Sequence, residues 1–400
     1  MRILFLFKEL PYPPYANGAK LRGYQMLESM NRLGHSVSLV CFYDSDEEKQ
    51  YFSNIDRLCK NFYVVKRGKK SIGRKFQDTF FQGYPLYRDG YDNNKEMECA
   101  IDEILEKDNF DVCYLGQDQM AVYHHILKGI PAILDATDAW NLVIRTILDG
   151  ESGIFRRMYL KGQLRKVERH IKEYHPKFNM CLLAGKKDIE ELHLLLPSMN
   201  AEVVPLCVDT EHFSPMDVRG IPRSIVFTGN MGYKPNQDAV IWFCNDVLPL
   251  IRNDVPDTMF YIVGRNPSNG VMKLVGRDNG VIVTGGVDDI RPYIAKAEVY
   301  VCPIRQGGGI KIKLLEAMAM GKAIVSTREG VDGIPEAVDE NDMFIASSRY
   351  DLAEKTKLLL SDENLRKEMS GNARRLVEKY YSKLTFDERL NSILESVTSR

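Results

Sequence analysis

The stretch VYVCPIRQGGGIKIKLLEAMAMGKAIVST, residues 299–327, constrains the fold more than any other. Val299 to Cys302 is a short apolar run bounded by Pro303, as a buried strand requires. Gly307, Gly308 and Gly309 follow, where the backbone can turn sharply and approach a ligand. Lys311 to Met320 are good helix formers, with Ile312, Leu315 and Ala319 on one face. Gly321 ends that helix, and Ala323 to Val325 begins another strand. Strand, glycine turn, helix and strand together specify a parallel α/β unit.

A helix opening from such a turn offers free N–H groups and a positive dipole end to an anion. Arg305, Lys311 and Lys313 add cations, and Glu316 sits one turn inside. A diphosphate on the turn and a hydroxyl-bearing sugar on Glu316 would use every part. The plain alternative is a structural turn followed by solvated lysines. Two other phosphate signatures are excluded. The position five before Gly321 is Glu316 and Ala323 follows Lys322, so this is no P-loop. No G-x-G-x-x-G follows any predicted strand, so a dinucleotide site is unsupported.

The chain has 400 residues, too many for one ordinary core, and two α/β domains are expected. A net charge of −1 argues against general nucleic-acid binding. The eight cysteines form no C-x-x-C pair and read as reduced thiols, a cytoplasmic pattern. The N-terminal apolar run is too short for a signal sequence and reads as the first strand. No apolar run reaches the roughly 20 residues of a membrane helix.

Ile3 to Phe7 is that strand, followed by a proline-rich loop, a helix from about Lys20 to Leu33, and a strand from Ser36 to Phe42. Doubly wound sheets bind ligands at the carboxyl ends of their strands. Asn17, Gly18 and Arg22 are therefore placed at a cleft, unless the loop is ordinary surface. Asp135 and Asp138 fall at the end of a later strand, with capping of the next helix as the alternative for Asp138. Asp44-Ser45-Asp46 has the D-x-D pattern but falls where a turn is due. The basic run 66–75 precedes Phe76, Phe80, Phe81 and Tyr84. It reads either as contact with an anionic membrane or as a solvated loop before a packed helix. Leu160, Leu164, Val167, Ile171 and Tyr174 form a core stripe on a helix over 154–174, with Arg156, Arg157, Lys161, Arg165, Lys166 and Lys172 elsewhere. A basic amphipathic helix reads either as a membrane-facing element or, as expected here, as a cover of the sheet.

The second half restarts the alternation. Strands end at Gly229, at Gly264-Arg265 and at Gly285-Gly286-Val287. Lys234 can reach a phosphate from the first of these turns, and Asn236 is a candidate helix cap.

The pattern R-x-G-G-G-x-K-x-K-x-L-E-A-M-A-x-G-K-x-I-V-S-T, over 305–327, resembles the donor-nucleotide motif of retaining GT-B glycosyltransferases of family 4. The segment 202–215 resembles that family's interdomain segment, with Val208, Asp209, Phe213 and Pro215 matching. The resemblance implies two Rossmann-like domains facing a cleft, here 1–214 and 215–382, and a helix over 383–400 returning to the first. Leu384, Phe386, Leu390, Ile393 and Leu394 are its expected buried side.

It also implies a metal-independent, retaining sugar transfer from a nucleotide diphosphate sugar, UDP- or GDP-linked. No cofactor is implied. The acceptor would be a glycan or lipid-linked, in bacterial surface polysaccharide synthesis, with a cytoplasmic location and peripheral contact with the inner membrane face. The implied catalytic set is Asp138, Lys234, Arg305 and Lys311. The implied donor site is Gly18, Gly229, Gly264, Arg265, Gly286, Val287, Gly308, Gly309, Ile310, Lys313 and Glu316, the last on the ribose. Asn17, Arg22 and Asp135 would be acceptor-side, and no metal ligand is implied. The family usually carries a second glutamate where this chain has Gly308. A nucleotide-sugar epimerase of the same fold and a non-catalytic nucleotide-sugar binder remain as alternatives.

Overall fold

The computed structural model describes residues 1–67, 85, 94–275, 280–307 and 309–399. Gly308 and most of the basic-aromatic segment 66–84 lie outside the described residues. The chain divides into one unit of Met1–Pro205 with Phe386–Arg400, and a second of Leu206–Thr385.

The first unit runs β1 (Arg2–Phe7), α1 (Gly18–Arg32), β2 (Ser36–Tyr43), β3 (Asn61–Lys66), α2 (Lys95–Lys107), β4 (Val112–Gly116) and β5 (Ala132–Thr137). It continues with α3 (Trp140–Asp149), α4 (Ile154–Tyr174), β6 (Met180–Leu183), α5 (Lys186–Leu195) and β7 (Ala201–Val203). The seven strands form one sheet in the order β3-β2-β1-β4-β5-β6-β7, and every pair is parallel. Helices cover both faces of such a sheet, so its strands are apolar throughout rather than alternating. Ile3, Leu4, Phe5, Leu6 and Phe7 are accordingly all buried.

In the second unit the elements are β8 (Ser224–Thr228), α6 (Lys234–Trp242), β9 (Met259–Val263), β10 (Val281–Gly285), α7 (Arg291–Lys296), β11 (Val299–Cys302) and α8 (Ile312–Ala319). They are followed by β12 (Ala323–Thr327), β13 (Phe344–Ala346), α9 (Arg349–Ser361) and α10 (Glu363–Tyr380). Its sheet has the order β10-β9-β8-β11-β12-β13, again wholly parallel. Each unit is thus doubly wound around its own core.

The boundary falls before Leu206, earlier than the expected 214/215. Val208 and Phe213 are buried in the second core, and the Val208 N–H donates to the Tyr381 carbonyl at 2.8 Å. The last helix, α11 (Lys383–Thr398), joins the first unit from Phe386 onward. Phe386, Leu390, Ile393, Leu394 and Val397 form its buried stripe. Leu384 does not belong to it and is exposed, because it precedes the point where the helix enters the first unit. Asp387 anchors the helix on α1, accepting from Arg32 Nη2 at 2.7 Å and from Ser29 Oγ at 2.5 Å.

Helix α4 covers the sheet only in part. Its buried stripe begins at Leu160 and continues through Val167 and Ile171, while Leu164 and Tyr174 are half-buried against the same core. Among the described residues no helix is long and apolar enough to cross a membrane.

Replacing Asp387 with Ala removes charge-assisted hydrogen bonds at the α1–α11 contact. Stability should fall by about 1–3 kcal/mol in chemical denaturation, with unit 1 losing its C-terminal helix first.

Candidate functional site

Glycine backbones at the ends of three adjacent strands build the floor of the site in the second unit. The Gly229 N–H donates to the Val263 carbonyl at 3.0 Å, and the Gly264 N–H to the Gly285 carbonyl at 3.1 Å. A methyl group on Gly264 would lie 1.8 Å from the Gly229 carbonyl oxygen, so only glycine lets these strand ends meet. Arg265 is exposed beyond β9, and a methyl group on Gly286 would lie 3.5 Å from its Cβ. Gly286 is exposed and Val287 half-buried, so this loop offers backbone groups to solvent over an apolar base.

Beside this floor, the turn after β11 passes through Gly307 (φ 98°) and Gly309 (φ 72°), both left-handed. Gly333 packs under it so closely that a methyl there would meet the Ile310 nitrogen at 2.5 Å. Helix α8 then starts with Lys311 as its N-cap residue. The first N–H groups of a helix have no intrahelical acceptor and point toward the turn. The Lys311 ammonium folds onto the same turn, donating to the Gly309 carbonyl at 2.8 Å and the Gly307 carbonyl at 3.0 Å. Burial lowers its pKa.

Lys313 lies deeper. Its ammonium donates to Asn236 Oδ1 and stands 4.7 Å from the centre of the Phe227 ring. Burial brings it down to about 8, against the opposing pull of Cys302 and Glu316. Asn236 is not the helix cap expected of it, since Tyr233 occupies the N-cap of α6. Its amide instead bridges Lys313 and the Asn230 carbonyl.

Glu316 is 5% exposed. Among the described residues its carboxylate accepts no hydrogen bond, and its oxygens are not among the fully enclosed unpartnered polar atoms, so part of the carboxylate still meets solvent. Burial lifts it to about 7, and Lys313 opposes that rise. A buried carboxyl without a donor partner costs free energy whenever it ionises.

The other expected cations differ in their surroundings. Lys234 is exposed at the first residue of α6, with no ion pair among the described residues. Arg305 is already engaged. Its guanidinium grips Asp238 at 2.8 and 2.9 Å and stacks over Trp242 at 4.8 Å. Asp238 and Trp242, four apart on α6, were not among the expected site residues.

In the first unit, Asn17 and Gly18 begin α1. The Asn17 side chain caps that helix, accepting the Lys20 N–H at 2.7 Å, and donates to Glu9 at 3.1 Å. Gly18 is exposed, and a methyl group added there would meet nothing within 4 Å. Arg22 and Asp135 do not face an acceptor. Both are 0% exposed, and Arg22 Nε donates to Asp135 Oδ2 at 2.8 Å. Arg22 also donates to the Val204 carbonyl, and the Tyr114 hydroxyl to Asp135. The ion pair ties α1 to the sheet, and its charges are consumed there.

Asp138 is exposed, and it does not cap α3, whose N-cap residue is Ala139. The protein around it raises its pKa, with Arg22 opposing. It sits at the edge of a cavity of about 10 Å³, close to the space one water needs. Asp44 and Asp46 of the D-x-D are held in surface pairs with Arg67, Lys49 and Lys66.

The same cavity is lined by Asp118 and His175. With His170 they are the group among the described residues whose ligand atoms are near enough for a metal. His175 Nε2 stands 2.6 Å from Asp118 Oδ1, and His170 Nε2 3.1 Å from Oδ2. Ligands of one zinc ion, with bonds of about 2.0 Å, would stand roughly 3.3 Å apart. The spacing fits a buried hydrogen-bonded ion pair. Burial alone would lower His175, but Asp118 holds it up at about 10.

Comparison with known proteins gives these two units their place. Solved structures of about 12% identity share the fold over the full length. One is sucrose-phosphate synthase of Thermosynechococcus elongatus, with a TM-score of 0.72 and all of both chains covered. Another is HepE of Anabaena in complex with UDP, with a TM-score of 0.70 over 99% of this chain and 100% of that one. The fold is therefore GT-B. Residues 222–362 match the family model described as "Glycosyl transferases group 1". The chain thus carries a glycosyl transferases group 1 domain, which lies within the second unit.

Among curated relatives, an uncharacterized 44.6 kDa protein in the cps region of Klebsiella pneumoniae is 22% identical over 83% of this chain and 84% of its own. The GDP-mannose-dependent alpha-(1-6)-phosphatidylinositol monomannoside mannosyltransferase of Mycolicibacterium smegmatis is 32% identical over 36% of this chain and 41% of its own.

Glu316 gives a signed pH test. Below pH 4.5 it is protonated in both folded and unfolded chains. Between 4.5 and about 7 the unfolded chain loses its proton first, so this group subtracts stability as pH rises. Glu316→Gln should therefore melt above wild type at pH 8, by about 3 kcal/mol of stability. The difference should vanish near pH 4.5.

Proposed function

We propose that the chain is a retaining glycosyltransferase that takes a sugar from a UDP- or GDP-linked donor. The acceptor is a glycan or a lipid-linked saccharide, in synthesis of a cell-surface polysaccharide on the cytoplasmic side of the membrane. Glu316 is the observation that carries this reading. A buried carboxyl lacking any donor, one turn behind an anion-binding glycine turn, suits the paired hydroxyls of a ribose whose diphosphate lies on the turn. A cps-region relative, a GDP-mannose-dependent relative and a UDP-bound structural neighbour agree with it.

The proposed chemistry follows from the groups present. As the bond from C1 to the diphosphate oxygen breaks, negative charge grows on the leaving phosphate. Lys234 and the α8 N-terminus receive that charge, together with Lys311 once its ammonium exchanges the two turn carbonyls for phosphate oxygens. Arg305 has a lesser part, because Asp238 already balances it. The acceptor oxygen attacks from the face the diphosphate leaves, and the leaving phosphate accepts its proton, so configuration is retained. Asp138, exposed and raised, is the side chain assigned to orient acceptor or sugar hydroxyls.

The test is incubation with UDP- and GDP-sugars and lipid extracts, with the anomeric configuration of the product read by NMR. Transfer with retention is expected. Lys311→Ala should lower turnover by about 10²–10³ with binding less affected. Conversion of the donor without acceptor would instead identify an epimerase, and tight binding without turnover a non-catalytic binder.

A further inference from the structure

Helix α4 carries a surface that neither the core nor the sugar-nucleotide site explains. Its first turn leaves Phe155 89% exposed, Ile154 73% and Met158 67%. Val143 and Ile147, one turn apart on α3, are exposed too, and α3 packs against α4. Five of the fifteen exposed large apolar side chains among the described residues thus fall within 143–158, a cluster rather than the usual scatter. The hairpin tip is held in shape, because Arg157 donates to the Leu148 carbonyl at 2.9 Å and the Glu151 carbonyl at 2.7 Å.

The exposed side of α4 continues this tip with mostly positive charge, the exposed Glu173 at its far end being the exception. Ile154, Met158, Lys161, Arg165, Arg169 and Lys172 follow one another at spacings of four or three, so they form a single stripe. All six are exposed. The four cations have no ion-pair partner among the described residues. Arg156 at the tip is also exposed, paired with Glu151 at 3.0 Å.

We propose that the α3–α4 tip and this stripe dock on an anionic lipid surface. Phe155, Ile154 and Met158 would enter the headgroup–acyl boundary, while Lys161, Arg165, Arg169 and Lys172 lie along the phosphates. An apolar tip continuous with a basic stripe is the pattern of an interfacial helix. A second copy fits poorly, since a two-fold contact on the stripe would set its four cations against four more. Nucleic acid is disfavoured by the apolar tip and by the overall charge of −1. The proposal deepens the lipid-linked acceptor reading given above by naming the surface that would bring the chain to such an acceptor. It is tested without any sugar donor, so the two can fail separately.

The measurement is co-sedimentation of the full chain with vesicles of phosphatidylcholine, alone or mixed with phosphatidylglycerol. Binding is expected on the mixed vesicles only, weakening as salt is raised. Each basic side chain near such a surface strengthens binding roughly fivefold. The pair Lys161→Gln and Arg165→Gln should therefore lose about twenty-five-fold. The pair Ile154→Ser and Phe155→Ser should lose at least about tenfold. Both variants replace exposed side chains and should melt like wild type, which excludes misfolding as the cause. No binding to mixed vesicles, or equal binding by wild type and both variants, would overturn the proposal. So would concentration-dependent self-association that the apolar variant abolishes.

Discussion

The donor-type site depends on one unfavourable act of burial. Glu316 is enclosed in the second core with Lys313 as its counter-charge and no hydrogen-bond donor of its own. Lys313 is enclosed beside it, held by Asn236 and the Phe227 ring. Each ion would be costly alone in such surroundings, and together they offset only part of that cost. The carboxyl consequently titrates near neutrality. The glycines make this enclosure possible. Gly229 and Gly264 let two strand ends touch, and Gly333 lets a following segment pass beneath the turn that opens α8. The folded protein holds in place an acceptor group that hydroxyl donors would satisfy, and it sacrifices some stability to do so.

The first unit buries its charges differently, each against an opposite charge of its own chain. Arg22 is matched by Asp135, with Tyr114 and the Val204 carbonyl filling the remaining positions. Asp118 is matched by His175 and His170. These groups orient α1 and α4 on the sheet. Asp135 and Glu316 are both enclosed acids near a strand or helix end, but four donor atoms of its own chain bond Asp135 and, among the described residues, none bonds Glu316.

What the sequence made legible follows the range of the interactions. Residues 299–327 could be read because strand, glycine turn and helix are set by neighbours a few positions apart. The return of the last helix to the first unit was legible from its apolar spacing together with the family resemblance. Leu384 was misplaced because the point of entry, Phe386, is a tertiary fact. Arg22 and Asp135, 113 positions apart, looked like acceptor contacts from strand ends alone. Arg305 looked like a free cation because Asp238, 67 positions earlier, gave no local sign of pairing with it. The helix over 154–174 showed its core stripe in sequence, but not that burial begins only at Leu160.

The central claim is that Glu316 awaits hydroxyl donors from a bound nucleotide. Calorimetry of UDP and GDP binding at pH 6.5, in buffers of different ionisation enthalpy, counts the protons that binding moves. A carboxyl near pKa 7 is about three-quarters protonated at pH 6.5, so ionising to accept hydroxyls releases about three-quarters of a proton, and Glu316→Gln must release that much less than wild type. The account predicts that difference. Tight nucleotide binding with the same proton count in both proteins would contradict it.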